Sequence, residues 1–413
     1  MTDRSRRKFL RDLAALPAGA GVAGAAVAAS EGERASQGAD EETGPESVEY
    51  DPSTVTTMTT RLAGESDYET AAAITQNVYT AINEHTRPGA VILVSDSDLG
   101  AALPGVTFIH HPIDGAVLLT ERDSLPAATR EEIQRLHPEG VHVDGDTQAY
   151  VVGGERYVSA DVERELQAMG LKTSRIEGQT PVEVAANADQ YLSTIHANHR
   201  DTAYVASLDD LRTAMPAQSW NAHGGDGFLY VGDDRIPGPT RRQLEARFDE
   251  AYMYLLGDES KISATVARDL AQFGHVQRIP QGSDPYGLSV GLAGYKDIGR
   301  NQGWVFGEWG RSIGWGIAES GHNFVFVNPE DWQVALPACV ESHRGKHGPM
   351  LCVEQDGVPE TVANYLTNLT RPHEAAPYDR KYNHGWVVGG PDQISRRVQG
   401  QLHAMLQEPG DAR

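Results

Sequence analysis

Val151-Val152-Gly153-Gly154-Glu155-Arg156-Tyr157-Val158-Ser159 decides how this chain is read, because its skeleton returns twice. Leu255-Leu256-Gly257-Asp258 runs on to Ile262-Ser263, and Val387-Val388-Gly389-Gly390 runs on to Ile394-Ser395. In all three the serine lies six residues after the first glycine. An apolar pair ending in Gly predicts a strand that leaves through a tight turn, and the Ser predicts the cap of the next helix. Internal repetition of this kind governs the whole fold.

Two more patterns recur in triplicate and in the same order. Asp98…Ala102-Leu103-Pro104, Asp210…Ala214-Met215-Pro216 and Asp331…Ala335-Leu336-Pro337 each place Pro six residues after Asp. They follow the apolar stretches Val91-Ile92-Leu93-Val94, Tyr204-Val205-Ala206 and Phe324-Val325-Phe326-Val327, so each predicts a strand running through a loop into a helix. The third pattern opens each unit. Arg61-Leu62-Ala63-Gly64, Arg175-Ile176-Glu177-Gly178 and Arg278-Ile279-Pro280-Gln281-Gly282 each precede a helix rich in small residues, with one extra residue in the last copy. Between these, Leu125-Pro126, Ile236-Pro237 and Val358-Pro359 follow apolar strands, and Pro there suits a first helical turn.

The chain therefore predicts three tandem α/β repeats, 58–174, 175–277 and 278–407, each with a mainly parallel sheet flanked by helices. Gly170-Leu171-Lys172-Thr173-Ser174-Arg175 reads as a strand directly before the second opening pattern. Each opening segment is thus expected to pair at the end of the preceding sheet, interlocking the repeats.

The order Arg61-x-x-Gly64-x-x-x-Tyr68-Glu69-Thr70, Leu118-Leu119-Thr120, Leu125-Pro126 to Thr129, then Val151 to Ser159, resembles the cell-wall-binding repeat type 2 family. Copies two and three keep less of it, with Val182-Glu183-Val184 and Tyr286-Gly287-Leu288 where the first has Tyr-Glu-Thr. The resemblance implies three copies packed with pseudo-threefold symmetry and non-covalent attachment to anionic polymers of the cell envelope. It implies no catalysis and no cofactor. Members usually carry an effector domain beside the repeats, and none is evident here. An extracellular hydrolase acting in an inter-repeat cleft, or a protein-binding scaffold of a surface layer, are the competing classes.

The N-terminus, Ser5-Arg6-Arg7-Lys8-Phe9-Leu10 followed by an Ala- and Gly-rich run, resembles a twin-arginine signal peptide over 1–29. Residues 30–57 are acidic and poor in large apolar side chains, and are expected to form a disordered linker. With 58 acidic and 35 basic residues the net charge is −23, which disfavours nucleic acid and anionic membranes as partners. The same acidity resembles proteins of salt-loving organisms and, with the signal, implies a haloarchaeal source and an extracellular or envelope location. The polymer would then be a surface-layer glycan.

Candidate binding residues are those that recur or stack. Arg61, Arg175 and Arg278 either contact anionic groups of a ligand or pair with Asp67, Glu183 and Asp284 a few residues on. Asp98, Asp210 and Asp331, at strand ends, either face a ligand or cap the following helix. Tyr68 and Tyr286 occupy matching places in their repeats, and Trp309 belongs to a Trp-rich segment, 304–315, found in the third copy alone. Cys339 and Cys352 are either bridged or two buried thiols. Asn368-Leu369-Thr370 is a glycosylation sequon. The 15 histidines, His343-x-x-x-His347 among them, read as scattered surface residues rather than a metal site.

Overall fold

Each repeat builds a four-stranded parallel sheet whose last strand is lent by the next repeat. The structure, a computed structural model, describes residues 55–248, 250–298, 312–344, 347–369 and 382–407, all within one compact unit, Tyr50–Arg413. The signal-like segment, nearly all of the acidic spacer, and Trp304 and Trp309 lie outside the described residues.

The chain enters through β1 (Thr59–Leu62) and helix α1 (Asp67–Val78). The first repeat continues with β2 (Ala90–Ser95), α2 (Leu99–Ala102), β3 (Gly115–Thr120), α3 (Ala127–Leu136), β4 (Ala149–Val152) and α4 (Ala160–Ala168). The second opens with β5 (Thr173–Ile176) and α5 (Pro181–Ile195), then β6 (Thr202–Ser207), α6 (Leu211–Ala214), α7 (Ala217–Gly224), β7 (Gly227–Val231), α8 (Gly238–Glu245), β8 (Ala251–Leu256) and α9 (Ala264–Leu270). The third opens with β9 (Gly274–Arg278) and α10 (Pro285–Gly294). A short antiparallel pair follows, β10 (Asp297–Ile298) and β11 (Ser312–Ile313), then β12 (Asn323–Val327), α11 (Trp332–Ala335), β13 (Met350–Cys352), α12 (Glu360–Thr367), β14 (His384–Val388) and α13 (Arg396–Leu406).

Strand order is β3-β2-β4-β5 in the first sheet, β7-β6-β8-β9 in the second and β13-β12-β14-β1 in the third. All pairings in these sheets are parallel. β2, β3 and β6 are buried along their whole length, as sheets covered on both faces require. The expected interlocking is present, because β5 pairs with β4 and β9 with β8. The repeat boundaries drawn at 174 and 277 accordingly fall inside β5 and β9. The same rule also closes the ring, by a strand pairing that the sequence patterns did not announce. β1, at the start of the chain, pairs with β14, near its end, in the register Arg61↔Val387.

Helix docking follows the same cyclic order. α5 packs on α2 of the first repeat, α10 on α6 of the second, and α1 on α11 of the third. The segments after each Asp-x-x-x-Ala-x-Pro pattern meet where the repeats join: α7 touches both the 3-10 turn Leu103–Phe108 and the turn Pro337–Ser342. One apolar core runs through all three repeats and includes Phe108, Tyr150, Trp220, Tyr230 and Val340. Polar bonds pin the seams. Tyr230 donates to the Gly100 carbonyl at 2.7 Å, Asn77 Nδ2 to Glu341 Oε1 at 2.6 Å, and Arg344 Nε to Asp114 Oδ1 at 2.7 Å.

Candidate functional site

The three recurring patterns turn out to be parts of one device. Arg61, Arg175 and Arg278 stand on the strands lent by the next repeat, opposite Val387, Val151 and Leu255. From there Nη1 of each donates to the carbonyl of the glycine ending the neighbouring strand: Arg61 to Gly389 at 2.6 Å, Arg175 to Gly153 at 2.9 Å, Arg278 to Gly257 at 2.5 Å. Those glycines have φ of 103°, 104° and 143°, a region closed to most side chains, so the turn needs Gly and the carbonyl it exposes needs a donor. Arg175 and Arg278 also hold the carbonyls of Val158 and Ile262, just before the recurring Ser.

The expected pairing with Asp67, Glu183 and Asp284 is corrected by this geometry. Arg61 is 3% exposed and its Nε donates to Gln399 at 3.0 Å, so it is buried in the seam. Burial, aided by Arg396 and opposed by Asp392, holds its guanidinium down at about 10. The expected intra-repeat partners are engaged elsewhere. Asp67 accepts from Gln393 at 2.9 Å, Glu183 closes a capping box with Thr180, and Asp284 caps α10 through the Gly287 amide at 2.7 Å. The nearest charged partner of Arg175 is Glu163, at 2.9 Å, on α4 of the preceding repeat, with Glu177 further off at 4.0 Å.

This geometry predicts a stability role. Arg175→Ala strands three carbonyls and Glu163, and is expected to cost about 2–3 kcal/mol in urea unfolding. Unchanged stability accompanied by lost ligand binding would return Arg175 to the ligand.

The strand-end aspartates are largely caps. Asp98 accepts the Ala101 amide at 2.9 Å, and Asp210 accepts the Thr213 amide at 3.2 Å while pairing with Lys261 at 2.5 Å. Asp331 departs from the pattern, taking Asn328 Nδ2 at 2.8 Å and leaving α11 without a side-chain cap. Partial burial, with Asp67, Asp392 and Glu330 adding repulsion, pushes its carboxyl up to about 6. Tyr68 donates to Asp96 Oδ2 at 2.5 Å across its repeat, and Tyr286 is half-buried against the core. Trp309 lies outside the described residues. Cys339 and Cys352 are free thiols, both buried, so of the two readings the structure holds the unbridged one. Burial pushes both thiols up.

Two groupings escaped sequence reasoning. Histidines expected on scattered surface positions converge where the repeats meet. The rings of His110 and His343 lie 5.3 Å apart, and those of His223 and His347 5.1 Å apart with Nδ1 atoms at 3.2 Å. Trp220 and Trp315 flank His223. Burial first, then neighbouring cations, pushes His110 and His223 down to about 4. Among the described residues no three His, Cys, Asp or Glu side chains are arranged to hold a metal ion. The second grouping is a groove of about 710 Å³ in the third repeat, between α10 and α12.

Three α/β repeats closed into a ring and clamped from within define a repeat scaffold. Residues 61–163 match the family Cell wall binding domain 2 (CWB2). Among solved structures the chain is similar to Cwp6 from Clostridium difficile, with a TM-score of 0.67 and 15% identity over 89% of this chain and 51% of that one. It is also similar to Cwp8 from Clostridium difficile, with a TM-score of 0.64 and 17% identity over 84% of this chain and 52% of that one. The chain thus spans about half the length of each, and at these identities the likeness concerns the fold. No curated protein sequence matches it.

Proposed function

We propose that the chain is a non-catalytic protein of the cell envelope that binds a surface glycan through its repeats. The observation that carries this reading is the CWB2 match over 61–163, placed within three repeats of one construction. The paired Arg6-Arg7 ahead of an Ala- and Gly-rich run supports export by the twin-arginine route, and the acidic composition supports a haloarchaeal source. No described helix is long and apolar enough to cross a membrane.

The charge pattern bears on the polymer. The recurring arginines are committed to the clamps, and Arg212 and Lys261 are paired with Glu330 and Asp210. On a chain of net charge −23, that favours a glycan recognised through its hydroxyls over an anionic polymer recognised through cations.

Fractionation of the producing cells tests the reading. The protein is expected to sediment with the envelope. Free secretion, with turnover of an ester, peptide or glycoside by the purified protein, would sink it.

A further inference from the structure

Beside the groove between α10 and α12, the third repeat lacks a polar bond between helices that the other two keep. Counted from the helix caps Ser66, Thr180 and Asp284, the same position is Thr75 in α1, Asp189 in α5 and Ala293 in α10. In the first repeat Thr75 bonds Glu132 of α3 at 2.5 Å, and Gln76 reaches the same carboxylate at 3.2 Å. In the second, Asp189 holds Arg247, just beyond α8, through two bonds of 2.7 and 3.0 Å, buried at both ends. Ala293 offers nothing of the kind. The residue matching Glu132 and Gln243 is Tyr365, whose hydroxyl turns to the Ile317 carbonyl at 2.9 Å. The two helices still touch, and the groove lies along their contact, lined from both.

Its lining has a definite chemistry. Val290 and the half-buried ring of Tyr365 supply apolar surface. Gln281, Glu360, Asn364 and Asn368, all exposed, put planar amides and one carboxylate on the rim. Glu360 is the one charged residue among those lining it, so the groove holds no cation for a phosphate or uronate. Planar amides and carboxylates satisfy vicinal hydroxyls, and flat apolar surface covers the C–H face of a sugar ring.

We propose that this groove is the glycan subsite of the molecule, and that it takes a stretch of an uncharged saccharide chain. This rests on the glycan reading above and adds to it a place, a repeat and a charge class. The third repeat binds, and the first and second, whose matching helices are joined by polar bonds through Glu132 and Asp189, serve as scaffold.

Two variants test it in the full-length chain. A Cβ at Gly294 would meet nothing nearer than Tyr365 Cε2 at 4.0 Å, so Gly294→Leu fills the groove without displacing backbone. Asn364→Ala removes an exposed amide. Co-sedimentation with envelope fragments of the producing cells is the readout, using fragments left intact or oxidised with periodate, which cleaves vicinal diols. The wild type is expected to sediment with intact fragments and not with oxidised ones. Its binding should change little between about 0.1 and 1 M salt, as an uncharged ligand requires. Each variant should bind about tenfold more weakly, with thermal midpoints within about 2 °C of wild type. Wild-type affinity in both variants would overturn the groove and leave the glycan reading standing. Binding that survives periodate would overturn a saccharide ligand, and a steep loss with salt would overturn its neutrality. A wild type that stays in solution would overturn the glycan reading itself.

Discussion

A chain shortened to begin at Gly64 is expected to lose the folded third repeat, although no residue of that repeat is removed. β1 completes the sheet of β12, β13 and β14, and with it go Met58 and Leu62, both buried, and the Arg61 clamp on Gly389. Two large apolar side chains contribute roughly 1.5–3 kcal/mol each. The clamp adds about 1–3 kcal/mol, because Gly389 and Gln399 are left with unmet hydrogen bonds. The sum exceeds about 5 kcal/mol, comparable with the whole stability of many domains. Hydrogen exchange at β14 should become fast, the thermal midpoint should fall, and a peptide covering residues 55–66 should restore both in trans. Unaltered exchange at β14 would show that the ring does not depend on its closing strand.

The second large effect is expected in acid. His110 and His223 are held at about 4 in the fold, against an ordinary 6.5. The unfolded chain therefore binds more protons between those values. Their contribution is full above about pH 6.5, declines as pH falls, and is gone below about pH 4.

The surroundings explain the depression. His110 faces His343, Arg200 and His223, and His223 faces His347, His343 and Lys296. Asp114 lies 3.4 Å from His343 as the nearby carboxylate. Two carboxyls oppose the trend, since burial raises Asp226 and Asp331 to about 6 and they regain stability on protonation. The clean measurement is therefore a difference. Relative to His110→Asn/His223→Asn, the wild type should lose about 2–4 kcal/mol between pH 7 and pH 4, after allowance for partial exposure of the rings. Parallel pH profiles would remove the imidazoles from the account.

The architecture was legible because its signals are local. Val91 to Val94 and Phe324 to Val327 announce buried strands, and Gly153, Gly257 and Gly389 announce the turns that end them. The role of the arginines was half legible. Recurrence marked Arg61, Arg175 and Arg278 as mattering in every copy, but the short-range acids proposed as partners were wrong. The partners shared by all three are backbone carbonyls of the neighbouring repeat, brought near by strand pairing, and the side chains that join them, Gln399 and Glu163, differ from copy to copy. The histidine cluster left no pattern, since the place of His110 and His343 is held by Ala222 in the second copy, and that of His223 by His111 and Arg344. The missing polar bond beside the groove shows in sequence only when the three copies are aligned at their helix caps. There Ala293 stands against Thr75 and Asp189.

The closing strand has a topological consequence. Helix α13 runs back beside β1, and His403 near its end meets Thr56, just before that strand, at 2.9 Å. The polypeptide therefore enters and leaves the ring at one point. A body whose entrance and exit adjoin makes the same small demand on any longer chain that carries it as a tight loop would. It can be spliced in as a cassette, its own closure untouched by whatever is joined on either side.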